Sequence, residues 1–410
     1  MRSRPAPVPP GAEPLVASGG AYGDAPGHDH AGPPVPGPVL EPGAPEQAAE
    51  PEEGWVPDFL PGYEQLALRL EPDEEGEVVA TLVRPARRSA PDGAPGAPGE
   101  SGPARFWRAL RESLGLAEAA PPPSAGAEVP DTGVDLLYVH GWQDYFFQTH
   151  TADFWEGLGV RFHALDLRKY GRSLHEHQTP GYVTDLATYD EDIEAALAAM
   201  GHGEGAQTDR RLLLMGHSTG GLTLSLWTAR NQDRVAGLVL NSPWLEFQTR
   251  EVGRRVLEPG IGAQAALAPR SGVLFLDRGF YVRTISDKLD GEWNLDVRWR
   301  SDTASWRPTS GWVAAIFRGH QQVARGLGIE VPVLVLLSAR STPPIRWTEE
   351  MRHSDTVLDV AGIARRVPNL GSVTTLVRVD GALHDVTLSA APVREAVWRE
   401  LERWYRGYVG

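Results

Sequence analysis

Three nearly unbroken apolar runs constrain this chain more than any other feature: Arg211-Leu212-Leu213-Leu214-Met215, Val235–Asn241 and Val331–Leu337. A strand that is apolar on both sides must be covered on both sides, as in a parallel sheet held between layers of helix. Val134–Val139 and Phe162–Leu167 read as further strands, and Val373–Val379 as a slightly more polar one. Between them fall helical stretches at about 184–200, 219–231, 312–327, 357–366 and 391–408. In the first, Leu186, Tyr189, Ile193, Ala196 and Met200 are spaced for one helical face. Strand and helix in alternation specify an α/β fold, a mostly parallel sheet with helices on both faces. Ahead of it, Tyr63–Glu71 and Glu77–Arg84 flank the polar turn Pro72-Asp73-Glu74-Glu75-Gly76, an antiparallel hairpin suited to one sheet edge.

A length of 410 residues leaves room for two or three domains, but the 45 Gly and 35 Pro are unevenly spread. Residues 1–54 and 86–131 are rich in Pro, Gly and Ala and show neither strand nor helix periodicity, so we expect a disordered tail and a flexible insertion. One large domain over 55–410 remains. Inside the insertion, Phe106, Trp107, Leu110, Leu114 and Leu116 approach helical spacing over 104–118, which suits a short surface helix or one that docks on a membrane or partner. With no Cys there is no disulfide framework, thiolate metal site or cysteine nucleophile. The net charge of −15 argues against nucleic acid as a partner. In residues 1–62, Arg2 and Arg4 stand against nine acids, so about −7 of that charge sits there and charge is no guide to substrate. No apolar run is long enough for a transmembrane segment, and the opening MRSRPAPVPP lacks the apolar stretch of a secretory signal. We therefore expect a cytoplasmic protein; the sequence sets no oligomeric state.

Directly after the run at 211–215 stands Gly216-His217-Ser218-Thr219-Gly220-Gly221, followed by the apolar helix Leu222–Ala229. A G-x-S-x-G motif between a strand and a helix raises its serine on a sharp turn above the sheet edge, where Ser218 can act as a nucleophile. The backbone N–H of Thr219, at the helix N-terminus, can face a developing oxyanion. The loop His140-Gly141-Trp142 after an earlier strand can supply the second donor, the N–H of Trp142. A serine needs a base, and the base an orienting acid. Beyond Ser218 the histidines are His320, His353 and His384. His384, in Gly381-Ala382-Leu383-His384-Asp385 after the last strand, is the candidate base, whereas His320 and His353 read as solvated polar residues. His140 and His217 lie too close in sequence to the serine to swing onto it and read as structural. The acid candidates are Glu349, Glu350, Asp355 and Asp359. Asp355 is better placed to turn inward before its helix begins, while Asp359 suits the first helical turn. Asp380 and Asp385 read as local acids of the histidine loop.

These residues resemble the α/β-hydrolase fold superfamily, in its branch of monoacylglycerol lipases, lysophospholipases and serine-aminopeptidase-like hydrolases. The likeness covers about 63–84 and 132–410. It rests on His140-Gly141-Trp142, on Asp166-Leu167-Arg168-Lys169-Tyr170-Gly171-Arg172-Ser173 as a D-x-R-x-x-G-x-S turn, on the Ser218 motif and on Gly381-Ala382-Leu383-His384. Asp355-Thr356-Val357-Leu358-Asp359-Val360 looks like the family's acid turn, displaced by an insertion over 339–353. The resemblance implies acyl transfer to water with no metal or organic cofactor, and a small ester as substrate.

About 90 residues separate the strands at 235–241 and 331–337, more than one crossover helix needs, so a helical cap is expected over roughly 244–311. It holds Trp244, Trp293, Trp299 and Trp306, with Trp312 at its exit, which can line an apolar pocket or pack the cap onto the domain. Asp287, Asp290, Glu292 and Asp296 lie among them. The expected activity is hydrolysis of carboxylic esters with medium-sized apolar acyl groups. An aminopeptidase-like enzyme would need such acids turned inward to bind an ammonium, and a catalytically inactive binding protein on this fold is the remaining alternative.

Overall fold

The apolar runs lie side by side as three adjacent interior strands of one sheet. In this computed structural model the residues described are 54–86, 130–247, 251–273, 279–295, 299 and 306–410. All belong to the second of two units, Met1–Gln47 and Ala48–Gly410. The expected tail and the 104–118 helix lie outside the described residues.

The strands are β1 (Val56–Pro57), β2 (Tyr63–Asp73), β3 (Gly76–Pro85), β4 (Val134–Val139), β5 (Val160–Asp166), β6 (Arg211–His217), β7 (Gly237–Asn241), β8 (Val333–Ser338) and β9 (Thr374–Val379). Their order across the sheet is β1-β2-β3-β5-β4-β6-β7-β8-β9. The first three run antiparallel, and β3 joins β5 antiparallel. From β5 to β9 every pairing is parallel. Described helices are α1 (Thr149–Gly157), α2 (Tyr189–Ala199), α3 (Thr219–Arg230), α4 (Glu251–Leu267), α5 (Phe280–Ile285), α6 (Ser310–Arg325), α7 (Val360–Arg366) and α8 (Ala391–Tyr408).

Alternation along the strands divides the core into two layers. On one face Leu137, Leu212, Leu214, Leu238, Leu240, Val335 and Leu337 pack with Ile193 of α2, Leu226 of α3 and Ile316 of α6. On the other, Leu136, Tyr138, Leu213, Met215, Val239 and Leu334 pack with Trp155 of α1 and Leu401 and Trp404 of α8. Each fully buried leucine contributes about 2 kcal/mol over an exposed one. Helix α1 is the element that periodicity does not reveal. Its sequence THTADFWEG is poor in strong helix formers and buries only Thr151, Ala152 and Trp155. Topology demands it, because the parallel neighbours β4 and β5 require a crossover. The described parts of 244–311 include α4 and α5. Among the described residues no helix is long and apolar enough to cross a membrane.

The order reverses at β4, which has β5 on one side and β6 on the other. The carboxyl ends of β4 and β6 therefore border a topological switch point, where open α/β sheets form their sites. At the other end of these strands a groove of about 1010 Å³ is lined by Arg210, Arg230, Arg234, Asp190 and Glu194. There Arg230 pairs with Asp190, Arg234 with Glu194, and Arg210 with Asp131 and Asp135.

His163 of β5 is buried, and burial pushes its imidazole down to about 3. His150 in α1 is pushed down to about 4 for the same reason. An unfolded histidine protonates near 6.5, so between there and these values the unfolded chain binds more protons and stability falls as pH falls. His163→Phe should lower the slope of unfolding free energy against pH, measured by urea titration between pH 6.5 and 5, by up to about 1.4 kcal/mol per pH unit. An unchanged slope would count against a neutral buried His163.

Candidate active site

Ser218 stands between β6 and α3 at φ 51°, ψ −112°, a conformation a serine adopts only when its surroundings impose it. Its N–H donates to the Asn241 carbonyl (3.0 Å), and its own carbonyl accepts from Leu222 N–H (3.2 Å) and Trp244 N–H (2.9 Å). Two glycines make the turn possible by close approach. A Cβ on Gly216 would lie 2.8 Å from the Gly220 backbone, and one on Gly220 would lie 2.3 Å from the His140 carbonyl oxygen.

His384, after β9, comes to Ser218 from the far edge of the parallel sheet. Its Nε2 lies 3.1 Å from Ser218 Oγ, and its Nδ1 lies 2.9 Å from Asp355 Oδ2. An ionised carboxylate only accepts, so it assigns the ring proton to Nδ1 and leaves Nε2 free to accept from the serine hydroxyl. All three side chains are buried. The other oxygen of Asp355 accepts from Val357 N–H (2.7 Å) and Leu358 N–H (2.8 Å), which fixes the carboxylate's orientation.

The insertion before Asp355 lengthens the chain without moving the acid away from its strand. Asp355 N–H donates to the Arg340 carbonyl (3.0 Å) and Thr342 N–H to the Asp355 carbonyl (2.9 Å), a short parallel bridge at Ser341. The buried Met351 and the Ser354–Thr342 hydroxyl bond (2.7 Å) close the excursion. Asp359 is exposed and caps α7, accepting from Ala361 N–H (3.2 Å). Glu349 and Glu350 are exposed as well.

On the other side of the serine, a Cβ on Gly141 would lie 3.1 Å from Ser218 Cβ, so the loop His140-Gly141-Trp142 runs alongside the turn. His140 holds that loop: its Nε2 accepts from Leu167 N–H (3.1 Å) and its Nδ1 faces the Gly141 carbonyl (2.7 Å). Thr219 is the first residue of α3, so its N–H has no acceptor within the helix. The ring of His217 lies 5.0 Å from that of His384 between centroids.

Two readings from the sequence need correction. His320 is not solvated: it lies one turn beyond Ile316 on the inward face of α6, buried, with Nε2 on the Trp244 carbonyl (2.8 Å). His353 is exposed, as read. Asp385 is no mere loop acid, since it is fully buried. Its Oδ1 accepts from Asn241 Nδ2 (2.6 Å), Thr387 N–H (2.9 Å) and Thr387 Oγ1 (2.6 Å). Asn241 Oδ1 in turn accepts from Val386 N–H (3.1 Å), so the histidine loop is clamped to the end of β7. Nothing in the sequence marks Asn241 for this beyond its place at the end of an apolar run.

The D-x-R-x-x-G-x-S turn braces the neighbouring loop. Asp166 accepts from Phe146 N–H (2.8 Å), and Arg172 joins Asp166 (2.8 Å) to Asp58 (2.7 Å). Of the five tryptophans expected in the cap and at its exit, Trp306 and Trp312 form one aromatic cluster with Trp142 of the loop after β4, and Trp244 lies beside them. Trp293 donates to the Leu388 carbonyl (2.8 Å), and Trp299 packs on Tyr145. Tyr281 of α5 meets the His384 ring edge-on at 5.3 Å. Among the described residues, no group of three or more His, Asp or Glu could hold a metal ion.

Residues 135–342, just over half of the chain, match the family model described as serine aminopeptidase, S33. The chain belongs to this family of hydrolases. Its sheet, with an antiparallel hairpin at one edge, is that of the α/β-hydrolase fold. The crystal structure of a Paleococcus ferrophilus monoacylglycerol lipase is similar, at 18% identity over 68% of this chain and 96% of that chain, with a TM-score of 0.49. A soluble variant of monoglyceride lipase from Saccharomyces cerevisiae, in complex with a substrate analog, gives 15% identity over 70% and 90%, with a TM-score of 0.48. A comparison with curated proteins finds no match.

Asn241→Leu would leave the buried Asp385 carboxylate one donor short and Val386 N–H without its acceptor. A loss of about 3 kcal/mol in unfolding free energy, read from urea titration, is expected. Wild-type stability in this variant would contradict the clamp.

Proposed function

We propose that the chain is a serine hydrolase that cleaves carboxylic esters with apolar acyl groups of medium size through an acyl-enzyme on Ser218. The observation that carries this reading is the buried hydrogen-bonded line from Ser218 Oγ through the His384 ring to Asp355. Ser218 Oγ attacks the ester carbonyl carbon while its proton passes to His384 Nε2. Asp355 holds the tautomer that makes Nε2 basic and steadies the imidazolium once formed. The carbonyl oxygen takes on negative charge and is held by the N–H groups of Trp142 and Thr219, each worth about 3 kcal/mol. As the tetrahedral centre collapses, the carbon–oxygen bond to the alcohol breaks and His384 returns the proton to that oxygen. Water then repeats the cycle on the acyl-enzyme and frees Ser218.

The cap acids favour an ester over a peptide substrate. Asp287 is exposed, Asp290 is paired with Arg283, and Glu292 is paired with Arg394 (3.1 Å) at the surface. None of the three is turned inward to receive the ammonium of a peptide N-terminus; Asp296 lies outside the described residues. Tyr281, which meets the His384 ring, packs on an apolar cluster that includes the buried Leu383 and Leu388, and such surroundings suit an apolar group.

Four measurements test the proposal. A fluorophosphonate should label Ser218 stoichiometrically at neutral pH, and Ser218→Ala should abolish ester turnover. No labelling would favour a binding protein on this fold. Asp355→Asn should lower kcat by about 10⁴-fold by analogy with other triads, whereas Asp359→Asn should leave it within about twofold. Equal activity of the two variants would defeat the assignment of the acid. Preference for aminoacyl-p-nitroanilides over p-nitrophenyl esters would replace the esterase reading with the peptidase one.

A further inference from the structure

An oxyanion donor accelerates a reaction only if it is aimed before the charge develops. The proposed donor N–H of Trp142 lies in an irregular loop beyond the end of β4, so something outside the strand must aim it. From below, His140 and the close approach of Gly141 to Ser218 hold the residues before it. From above, the grip comes from the segment that leaves the cap. The Trp142 indole lies against Trp312 (4.0 Å between ring centroids, 41°) and meets Trp306 edge-on (6.2 Å, 88°). Tyr170 closes a third side (5.9 Å, 84°), and a Cβ on Gly181 would lie 2.6 Å from Trp142 Cζ3.

The next residue is held from the same segment. Gln143 has a left-handed backbone, φ 51°, without being glycine, and its side chain is buried. Its Oε1 accepts from the backbone N–H of Trp306 (3.1 Å). A strained, buried residue persists only where its surroundings over-determine it, and such positions cluster at functional sites. Here the side chain and the backbone turn that flank the Trp142 N–H are both fixed by contacts to 306–312. Strand β4 alone supplies neither constraint.

We infer that the cap exit, Trp306–Trp312, sets the oxyanion hole, with Gln143 and Trp306 as positioning residues that act through the Trp142 N–H. This rests on the proposal that Ser218 is the nucleophile and the Trp142 N–H an oxyanion donor. Neither positioning residue need touch substrate. Their contribution appears when the tetrahedral oxyanion forms and is absent when the ester merely binds.

The test uses the full chain with Gln143→Met, which keeps the side chain's length but loses the acceptor, and Trp306→Ala, which removes a half-buried ring but keeps the N–H. Active sites are titrated with a fluorophosphonate, so that turnover of p-nitrophenyl butyrate is expressed per labelled serine and any misfolded fraction drops out. In both variants kcat should fall about 10- to 100-fold, with KM within about twofold of wild type. The affinity for a trifluoromethyl ketone, which forms a tetrahedral oxyanion on the serine, should weaken by the same factor as kcat/KM. Trp306→Phe, which restores a ring edge, should recover most of the loss. Wild-type kcat per labelled serine in both variants, or a loss carried by KM alone, would overturn the inference and leave the nucleophile reading intact. A wild-type chain that takes no label at Ser218 would overturn both.

Discussion

Everything at this site depends on one backbone turn that a serine does not adopt freely. At φ 51° Ser218 occupies a region that costs an ordinary residue about 1–2 kcal/mol, and here three backbone hydrogen bonds and two glycine contacts hold it. Those hydrogen bonds join Ser218 to Asn241 at the end of β7 and to Trp244 just beyond it. The turn is thus stabilised by the neighbouring strand as much as by its own. It also begins α3, so one deformation turns the hydroxyl to His384 and aims a helix N-terminus at the same space.

The end of β7 serves two functions at once. The Asn241 carbonyl receives Ser218 N–H, while its side chain holds Asp385 and Val386 in the histidine loop. The Ser218 turn and the His384 loop therefore share one rigid anchor, which keeps Oγ and Nε2 within hydrogen-bond reach. Asp355 reaches the same place by a bridge to Ser341 that reconnects the chain three residues past the end of β8. Sequence distance added by the insertion thus does not become spatial distance.

Farther out, buried charges hold the turn after β5. Lys169 is fully buried between Asp73 and Glu75 (both 2.6 Å), and Arg168 lies against Asp192 (2.6 Å). Such pairs offset desolvation more than they add stability, and breaking one leaves a buried charge uncompensated. Their effect is geometric: they fix the β2–β3 hairpin and α2 to the turn whose Asp166 supports the loop carrying Trp142.

How much of this was legible depended on whether the cause was local. The buried parallel strands, the hairpin, α3 and α8 follow from the order of apolar and polar residues, because burial on one or both faces leaves a periodicity. The Gly216–Gly221 motif marks the sharp Ser218 turn for the same reason, since only small residues permit that approach. Helix α1 left no such trace, being required by the connection between β4 and β5 rather than by its own residues. His320 read as solvated and Asp385 as a loop acid because a polar residue in sequence carries no sign of the partner that buries it. The choice between Asp355 and Asp359 is of this kind too: both precede one helix, and only the bridge at Ser341 turns the first onto His384 and leaves the second in water as a cap. The sequence by itself determined the sheet, its class and the residue types of the site, since these depend on local pattern. Which acid meets the histidine, what clamps its loop and what grips Trp142 were decided only by the tertiary structure, because each is a contact between segments that the chain's order does not relate.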